Sequence, residues 1–90
     1  MPKILIIEDD AAFGQMLEKF LTKREFEVQV CFNALDAKLK FKENPYNLVL
    51  TDLRLPNYDG IQLLSELKEM SPKTPVIVMT GYAEGGTAVK

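Results

Sequence analysis

The sequence has no histidine and only one cysteine, Cys31. Histidine is the commonest general base and metal ligand near neutral pH, so its absence removes the usual candidate for both roles. A single cysteine excludes an internal disulfide, which fits a reducing compartment. We interpret Cys31 as a small core residue rather than a reactive thiol, and we expect a cytoplasmic protein.

A marked excess of either charge is also lacking. The 13 acidic and 11 basic residues give a net charge of −2, and the basic residues are scattered along the chain. Such a balance offers no electrostatic basis for binding nucleic acid or an anionic membrane surface. We therefore expect no direct contact with nucleic acid.

Long hydrophobic runs are missing too. The apolar run near the N-terminus, KILII at 3–7, ends in three acidic residues. It is too short for a signal peptide or for a membrane span. We expect no membrane partner.

What the chain does have is enough apolar sequence for one packed domain. It contains 90 residues, of which 47% are hydrophobic, and that content is too high for a disordered segment. We find no internal repeat, low-complexity tract or linker. The prediction is a single domain over residues 1–90.

Hydrophobic periodicity predicts strands that alternate with helices. Continuous apolar runs indicate buried strands, and the alternating run FEVQVCF indicates a half-exposed strand near an edge. The predicted strands are 3–7, 26–32, 48–51 and 75–79. The predicted helices are 11–24, 34–43, 61–70 and a last one from about 83 to the end. This order predicts an α/β fold, a doubly wound parallel sheet with strand order 2-1-3-4.

Polar residues follow three of the predicted strands, at the edge where a parallel sheet forms its site. Glu8, Asp9 and Asp10 follow the first strand, Asp52 ends the third and Thr80 ends the fourth. The acidic run replaces the glycine-rich turn of a dinucleotide-binding fold and would repel a pyrophosphate. In the order 2-1-3-4, the carboxylates of Asp9, Asp10 and Asp52 would share one crevice with the Thr80 hydroxyl beside them.

Carboxylates held together raise one another's pKa unless a cation neutralises them, and Mg²⁺ prefers oxygen ligands. The cluster therefore suggests a magnesium site beside Asp52 as a nucleophile toward phosphorus. The backbone carbonyl of Arg54 is a candidate for one further oxygen ligand. The hydroxyl of Thr80 is a candidate donor to a phosphoryl oxygen on Asp52.

Each of these residues also has an ordinary structural interpretation. Acidic residues after a strand often cap the next helix and favour its dipole, and Thr80 alone is more often a turn residue. Pro56 and Gly60 fit structural roles in the loop after Asp52, since proline stiffens a loop and glycine permits unusual turns. Only the joint placement at three strand ends favours a site.

Three motifs together resemble the receiver domain of two-component response regulators. They are the acidic pair Asp9–Asp10 after the first strand, TDLRLPNYDG at 51–60 and PVIVMTGYAE at 75–84. The amino-acid sequences of the last two motifs are similar to those of receivers that precede ATPase-type transcriptional activator modules. The resemblance covers nearly the whole chain.

The resemblance implies a flavodoxin-like fold and a signalling role without turnover of a free substrate, so the chain is not expected to be an enzyme. A sensor histidine kinase would transfer a phosphoryl group to Asp52 in a phosphorelay, and Thr80 would be the switch hydroxyl. Asp9, Asp10 and Asp52 would bind Mg²⁺ with the backbone carbonyl of Arg54. Glu8 is a weaker candidate than the pair that follows it. In the parent protein a C-terminal effector module would follow.

The chain also departs from the family pattern. The fifth strand and fifth helix of that fold, with the lysine that pairs with the phosphoryl group, have no counterpart in the 90 residues. Because these elements are missing, we expect a truncated receiver, impaired in switching, whose strand 75–79 lies at an open sheet edge. The resemblance also implies that Arg54 and Tyr82 flank the phosphoryl site. We expect it to form homodimers or to exchange elements between copies.

Two other functions remain as alternatives. The first is an oligomerisation or interaction module without signalling, built on an incomplete receiver fold. The second is a phosphotransferase or phosphatase with an aspartyl nucleophile. That family places a second aspartate two residues after the first, and here Arg54 occupies the position.

Overall fold

The computed structural model describes residues 1–52, 54–55, 58–79 and 87–89. Its strands are β1 (Lys3–Ile7), β2 (Glu27–Cys31), β3 (Leu48–Asp52), β4 (Arg54–Leu55), β5 (Tyr58–Asp59), β6 (Val76–Met79) and β7 (Thr87–Val89). Its helices are α1 (Ala11–Thr22), α2 (Ala34–Glu43) and α3 (Gly60–Met70). The first four major strands and all three helices match the predicted elements to within two residues at each end.

The main sheet has the strand order β2-β1-β3-β6-β7. The neighbours β2-β1, β1-β3 and β3-β6 pair in parallel, with Ile7 opposite both Cys31 and Thr51. The predicted parallel order is therefore confirmed, with β6 as its fourth strand. A separate two-stranded ladder pairs β4 with β5 in antiparallel orientation.

The edge of the sheet beside β6 differs from the prediction. Residues 87–89, expected to lie in a helix, form β7 and pair antiparallel with β6, so that Ile77 faces Val89 and Met79 faces Thr87. Residues 80–86, seven in number, separate the two strands. A parallel return needs a crossover of a dozen residues or more, whereas an antiparallel return needs only a short connection. The expected open edge along 75–79 is therefore wrong, because β7 pairs with its backbone groups.

One face of the sheet carries a closed core. The residues of this face alternate along each strand, as a parallel sheet between two helical layers requires. They pack against α2 and α3, and the buried cluster consists of Leu5, Ile7, Cys31, Ala34, Ala37, Phe41, Tyr46, Val49, Leu63, Leu64, Leu67, Val76 and Val78. Cys31 is buried in this core, as its interpretation as a core residue requires.

The opposite face is covered by α1 and is more open. Gly14 is the buried residue of α1 and packs near Val30 of β2. The outer side of α1 leaves Phe13, Met16 and Phe20 exposed at 39%, 53% and 51%. The two sides of the sheet are therefore unequal in packing.

Each helix begins at a side-chain cap that the sequence provides. Asp10 accepts a hydrogen bond from the N–H of Phe13, Asn33 accepts one from Asp36, and Asp59 accepts one from Ile61. Such caps satisfy backbone donors that have no partner within the helix. Asp10, and not Asp9, is thus the cap of α1, and Asp59 makes Gly60 the first residue of α3 rather than part of a separate turn.

A membrane span would need a long, uniformly apolar helix. None of the helices in the described part of the chain meets that requirement.

We predict that Leu67→Ala lowers the free energy of unfolding by about 2–5 kcal/mol, because it leaves a cavity in the closed core. Leu67 is fully buried, whereas Leu35 on α2 is 66% exposed. The matched variant Leu35→Ala should stay within about 0.5 kcal/mol of the wild type. Urea unfolding followed by circular dichroism measures both, and equal losses in the two variants would contradict the assigned core.

Candidate functional site

Three carboxylates converge at the carboxyl ends of β1 and β3. One oxygen from each of Glu8, Asp9 and Asp52 lies within 4.8 Å of the others. The cause is strand register: Ile7 of β1 faces Thr51 of β3, so the residues that follow them lie side by side. The predicted convergence of Asp9 and Asp52 is therefore present in the structure.

Glu8 is the buried member of this cluster, with 4% of its surface exposed. It lies beneath the first turns of α1, where a Cβ added to Gly14 would be 3.8 Å from the Cβ of Glu8 and 3.2 Å from Cγ1 of Val30. The glycine thus allows the helix to approach the strand closely. One oxygen of the Glu8 carboxylate accepts the backbone N–H of Asp10 at 3.1 Å.

Burial raises the pKa of Glu8 from its ordinary value of 4.5 to about 7. The negative charge of Asp52 and a hydrogen bond with Asp9 act in the same direction, while the N–H of Asp10 acts against them. A desolvated carboxyl beside like charges favours its neutral form. Close to neutral pH the carboxyl group of Glu8 therefore titrates, and its protonated form removes part of the negative charge of the cluster.

Asp10 occupies a different position from the one predicted. Among the described acidic residues, the cluster consists of Glu8, Asp9 and Asp52, while an oxygen of Asp10 accepts the N–H of Phe13 at 3.1 Å and caps α1. Its role as a metal ligand remains a prediction. The prominence of Glu8 was missed, although the two-residue period of Ile4, Ile6 and Glu8 already indicated one shared face beneath α1.

The loop after Asp52 contains the other predicted ligand. The backbone of Arg54 pairs with Asp59, and Leu55 pairs with Tyr58, in the β4–β5 ladder. The backbone of Arg54 therefore lies two residues along the chain from Asp52, at the start of a defined ladder. The predictions for Thr80, Pro56 and Tyr82 lie outside the described residues.

A polar network that the sequence did not reveal lies at the end of this ladder. Nζ of Lys38 donates to the hydroxyl of Tyr58 at 2.8 Å, and that hydroxyl donates to the carboxylate of Glu66. Lys38 and Glu66 also form an ion pair at 3.4 Å. The hydrogen bond with Tyr58 is the main cause that raises the pKa of Lys38 and lowers the pKa of Glu66. These residues are up to 28 positions apart, so no local sequence signal links them.

Comparison with known proteins identifies the family of this fold. The family model described as "Response regulator receiver domain" matches residues 4–90. The transcriptional regulatory protein ZraR of Klebsiella oxytoca is 37% identical over 87 residues, which are 97% of this chain and 20% of that protein. The chain therefore spans about a fifth of the length of this curated relative.

Solved structures agree with that match. A CheY-like receiver domain from Methanospirillum hungatei superposes with a TM-score of 0.89 at 31% identity and covers 93% of this chain and 67% of that one. A structure of the histidine kinase ThkA in complex with the response regulator TrrA matches with a TM-score of 0.87 at 25% identity, over 93% and 72%. With the acidic cluster at the ends of β1 and β3, these matches show that the chain belongs to the response regulator receiver domain family.

Proposed function

We propose that this chain accepts a phosphoryl group on Asp52 as one receiver domain over residues 1–90. The observation that carries the proposal is the convergence of Glu8, Asp9 and Asp52 within 4.8 Å at the ends of two adjacent parallel strands. A helix cap or a turn needs only one such residue. Three carboxylates so close together repel one another without a cation, and that unfavourable energy favours a functional cluster over a structural one.

The donor set fits a hard divalent cation, for which we propose Mg²⁺. Asp9 and Asp52 would hold it with the backbone carbonyl of Arg54, and Asp10 would contact it through water; Glu8 would support the cluster from the buried side. Oxygen ligands and a few retained waters are typical of magnesium in phosphoryl-transfer sites. When bound, the cation offsets negative charge on the carboxylates and on the phosphoryl oxygens.

The reaction we propose for Asp52 is a displacement at phosphorus. A carboxylate oxygen of Asp52 forms a bond to phosphorus, the P–N bond of a phosphohistidine donor breaks, and its electron pair returns to the imidazole nitrogen. Water later cleaves the aspartyl phosphate and restores the carboxylate. The chain modifies itself and turns over no free substrate, which distinguishes it from an enzyme. Thr80 is the proposed switch hydroxyl.

The proposed partners follow from the family. A sensor histidine kinase would be the donor, and the structurally similar TrrA is found in complex with the histidine kinase ThkA. A C-terminal effector module of the ATPase-type activators would receive the signal in a longer, cytoplasmic parent protein. We propose no direct contact with nucleic acid by residues 1–90. For residues 1–90 on their own, which contain no counterpart of the family lysine, we propose a short-lived phosphoryl state and weak switching.

Self-association is the second part of the proposal, and α1 supports it. Phe13, Met16 and Phe20 are exposed on the outer side of the helix over the thinly covered face of the sheet. Arg24 lies 3.8 Å from the centre of the Phe20 ring and shields part of it. Contiguous exposed apolar side chains on a small domain favour contact with a second copy. The β6 edge is excluded as the pairing surface because β7 occupies it.

We predict that Asp52→Asn abolishes labelling by acetyl phosphate in the presence of magnesium, because the amide cannot attack phosphorus. Asp59→Asn is the matched control, since asparagine also caps a helix well. It should keep wild-type labelling. Intact-mass spectrometry measures the added phosphoryl group. Equal labelling of wild type and Asp52→Asn would show that another residue is the acceptor.

We predict that Met16→Lys weakens self-association about tenfold or more by placing a charge in the apolar contact. Leu39→Lys on α2 is the control, because Leu39 and Met16 are both 53% exposed and the charge change is identical. Sedimentation velocity over a range of concentrations measures the effect. A wild-type protein that stays monomeric throughout, or equal weakening by both variants, would rule out the α1 surface.

We predict that the metal-free protein loses stability as the pH rises from about 5 to 7.5. Glu8 has a raised pKa of about 7 in the folded state, so the folded state binds the proton more tightly than the unfolded state does. The stability that this proton contributes is present at low pH and is lost as the pH rises through about 7. The expected loss in the free energy of unfolding is of order 1–3 kcal/mol.

Glu8→Gln should flatten this pH profile, and the exposed control Glu69→Gln should retain it. Urea unfolding in the presence of a chelator, repeated at several pH values, provides the measurement. Identical pH profiles for the wild type and Glu8→Gln would contradict the assignment.

A further inference from the structure

The loop that follows Asp52 is organised by a very short ladder. Arg54 pairs with Asp59 and Leu55 pairs with Tyr58, so the ladder contains two residue pairs. A two-stranded hairpin is at best marginally stable in water without further support. Its position beside Asp52 must therefore depend on contacts with the rest of the fold.

Tyr58 makes those contacts at one end of the ladder. Its ring packs against the buried core cluster, and the ammonium group of Lys38 lies 4.9 Å from the ring centre. Its hydroxyl accepts a hydrogen bond from Lys38 at 2.8 Å and donates one to Glu66. Lys38 belongs to α2 and Glu66 to α3, so the side chain of Tyr58 connects the hairpin to both helices that cover the core.

The hydrogen bonds of the Tyr58 hydroxyl fix the orientation of the side chain, which packing of the ring against the core does not do by itself. If only the ring were packed, the side chain of Tyr58 could rotate or slide with little change in free energy, because apolar contacts are not directional. Two hydrogen bonds, to Lys38 and to Glu66, each involve a charged group, are of the stronger kind and fix the position of the hydroxyl oxygen. Since Tyr58 is next to Asp59, and Asp59 pairs with Arg54, a fixed Tyr58 also limits the position of the Arg54 backbone.

We infer that Tyr58 is a positioning residue for the phosphoacceptor loop, which it anchors through Lys38 and Glu66 so that the Arg54 carbonyl faces the Asp52 site. The inference rests on the proposed function, because it assigns that carbonyl to the cation. Tyr58 acts through the hairpin backbone and does not itself contact the reacting atoms.

The experiment compares Tyr58→Phe with Tyr46→Phe. Tyr46 is a buried tyrosine stacked on Phe41, with ring centres 6.1 Å apart. It lies two residues before β3, at the end of the strand opposite to Asp52. The first readout is amide hydrogen exchange in the metal-free protein. Tyr58→Phe should speed exchange of the hairpin amides about tenfold and leave the β1 and β3 amides unchanged.

The second readout is magnesium affinity, measured by calorimetry. Loss of a residue that orients a ligand typically weakens metal binding by 10-fold or more, and we expect about tenfold for Tyr58→Phe and no change for Tyr46→Phe. Labelling of Asp52 by acetyl phosphate should return to the wild-type rate at saturating magnesium. A variant that only destabilised the fold would lower the melting temperature, but it would not combine weaker magnesium binding with wild-type labelling at saturating magnesium.

Two variants of Glu66 test the hydrogen bond itself. Glu66→Gln keeps an acceptor oxygen for the Tyr58 hydroxyl and should retain slow hairpin exchange. Glu66→Ala removes the acceptor and should reproduce Tyr58→Phe. Wild-type exchange and wild-type affinity in Tyr58→Phe would overturn the inference, as would faster exchange with unchanged affinity. A wild-type protein that binds no magnesium would instead defeat the proposed function, and hairpin exchange alone would then decide whether Tyr58 positions the loop.

Discussion

Repulsion among carboxylates at the ends of two adjacent strands is the constraint on which this molecule depends. Parallel pairing of β1 with β3 places Ile7 opposite Thr51, and the next residues along each strand must then bring Glu8 and Asp52 together. The same pairing that builds the sheet thus builds the site. Asp9 is exposed and can turn toward solvent, but Glu8 is buried and its carboxyl group cannot. A proton or a cation has to neutralise part of the negative charge.

The surrounding fold provides the rigidity that such a site needs. On one face, α2 and α3 close a core that includes Leu5, Ile7 and Val49, directly beneath the strand ends. On the other, α1 begins at Ala11, immediately after the carboxylates, so the positive end of its dipole favours their negative charge. Gly14 lets this helix approach β1 and β2 closely. The more open side of the sheet is therefore still tightly packed next to the cluster.

Local sequence signals predicted the parts of the fold that local physics decides. The four parallel strands and the three helices were predicted because their apolar periods are strong, whereas the short ladder of β4 and β5 was not. The meeting of Asp9 with Asp52 followed from the order of parallel strands. Residues 87–89 were assigned to a helix because their local composition says little about the unpaired edge of β6, which β7 covers. Glu8 was underrated since its burial arises from the approach of α1. The contacts of Tyr58 depend on three distant elements and carry no local signal.

The two sides of the proposed phosphoacceptor site are held by different kinds of interaction. Asp52 pairs with Met79 in the parallel sheet, and Asp9 lies two residues after β1. Both are therefore held by strands in which many hydrogen bonds and apolar contacts act together. The Arg54 backbone instead depends on a two-pair ladder and on the hydroxyl of Tyr58. Changes in the core should therefore affect stability first, whereas changes in the contacts of α2 and α3 with Tyr58 should affect the site first. The geometry of the proposed phosphoacceptor site can thereby be adjusted from the helical layer without loss of the fold.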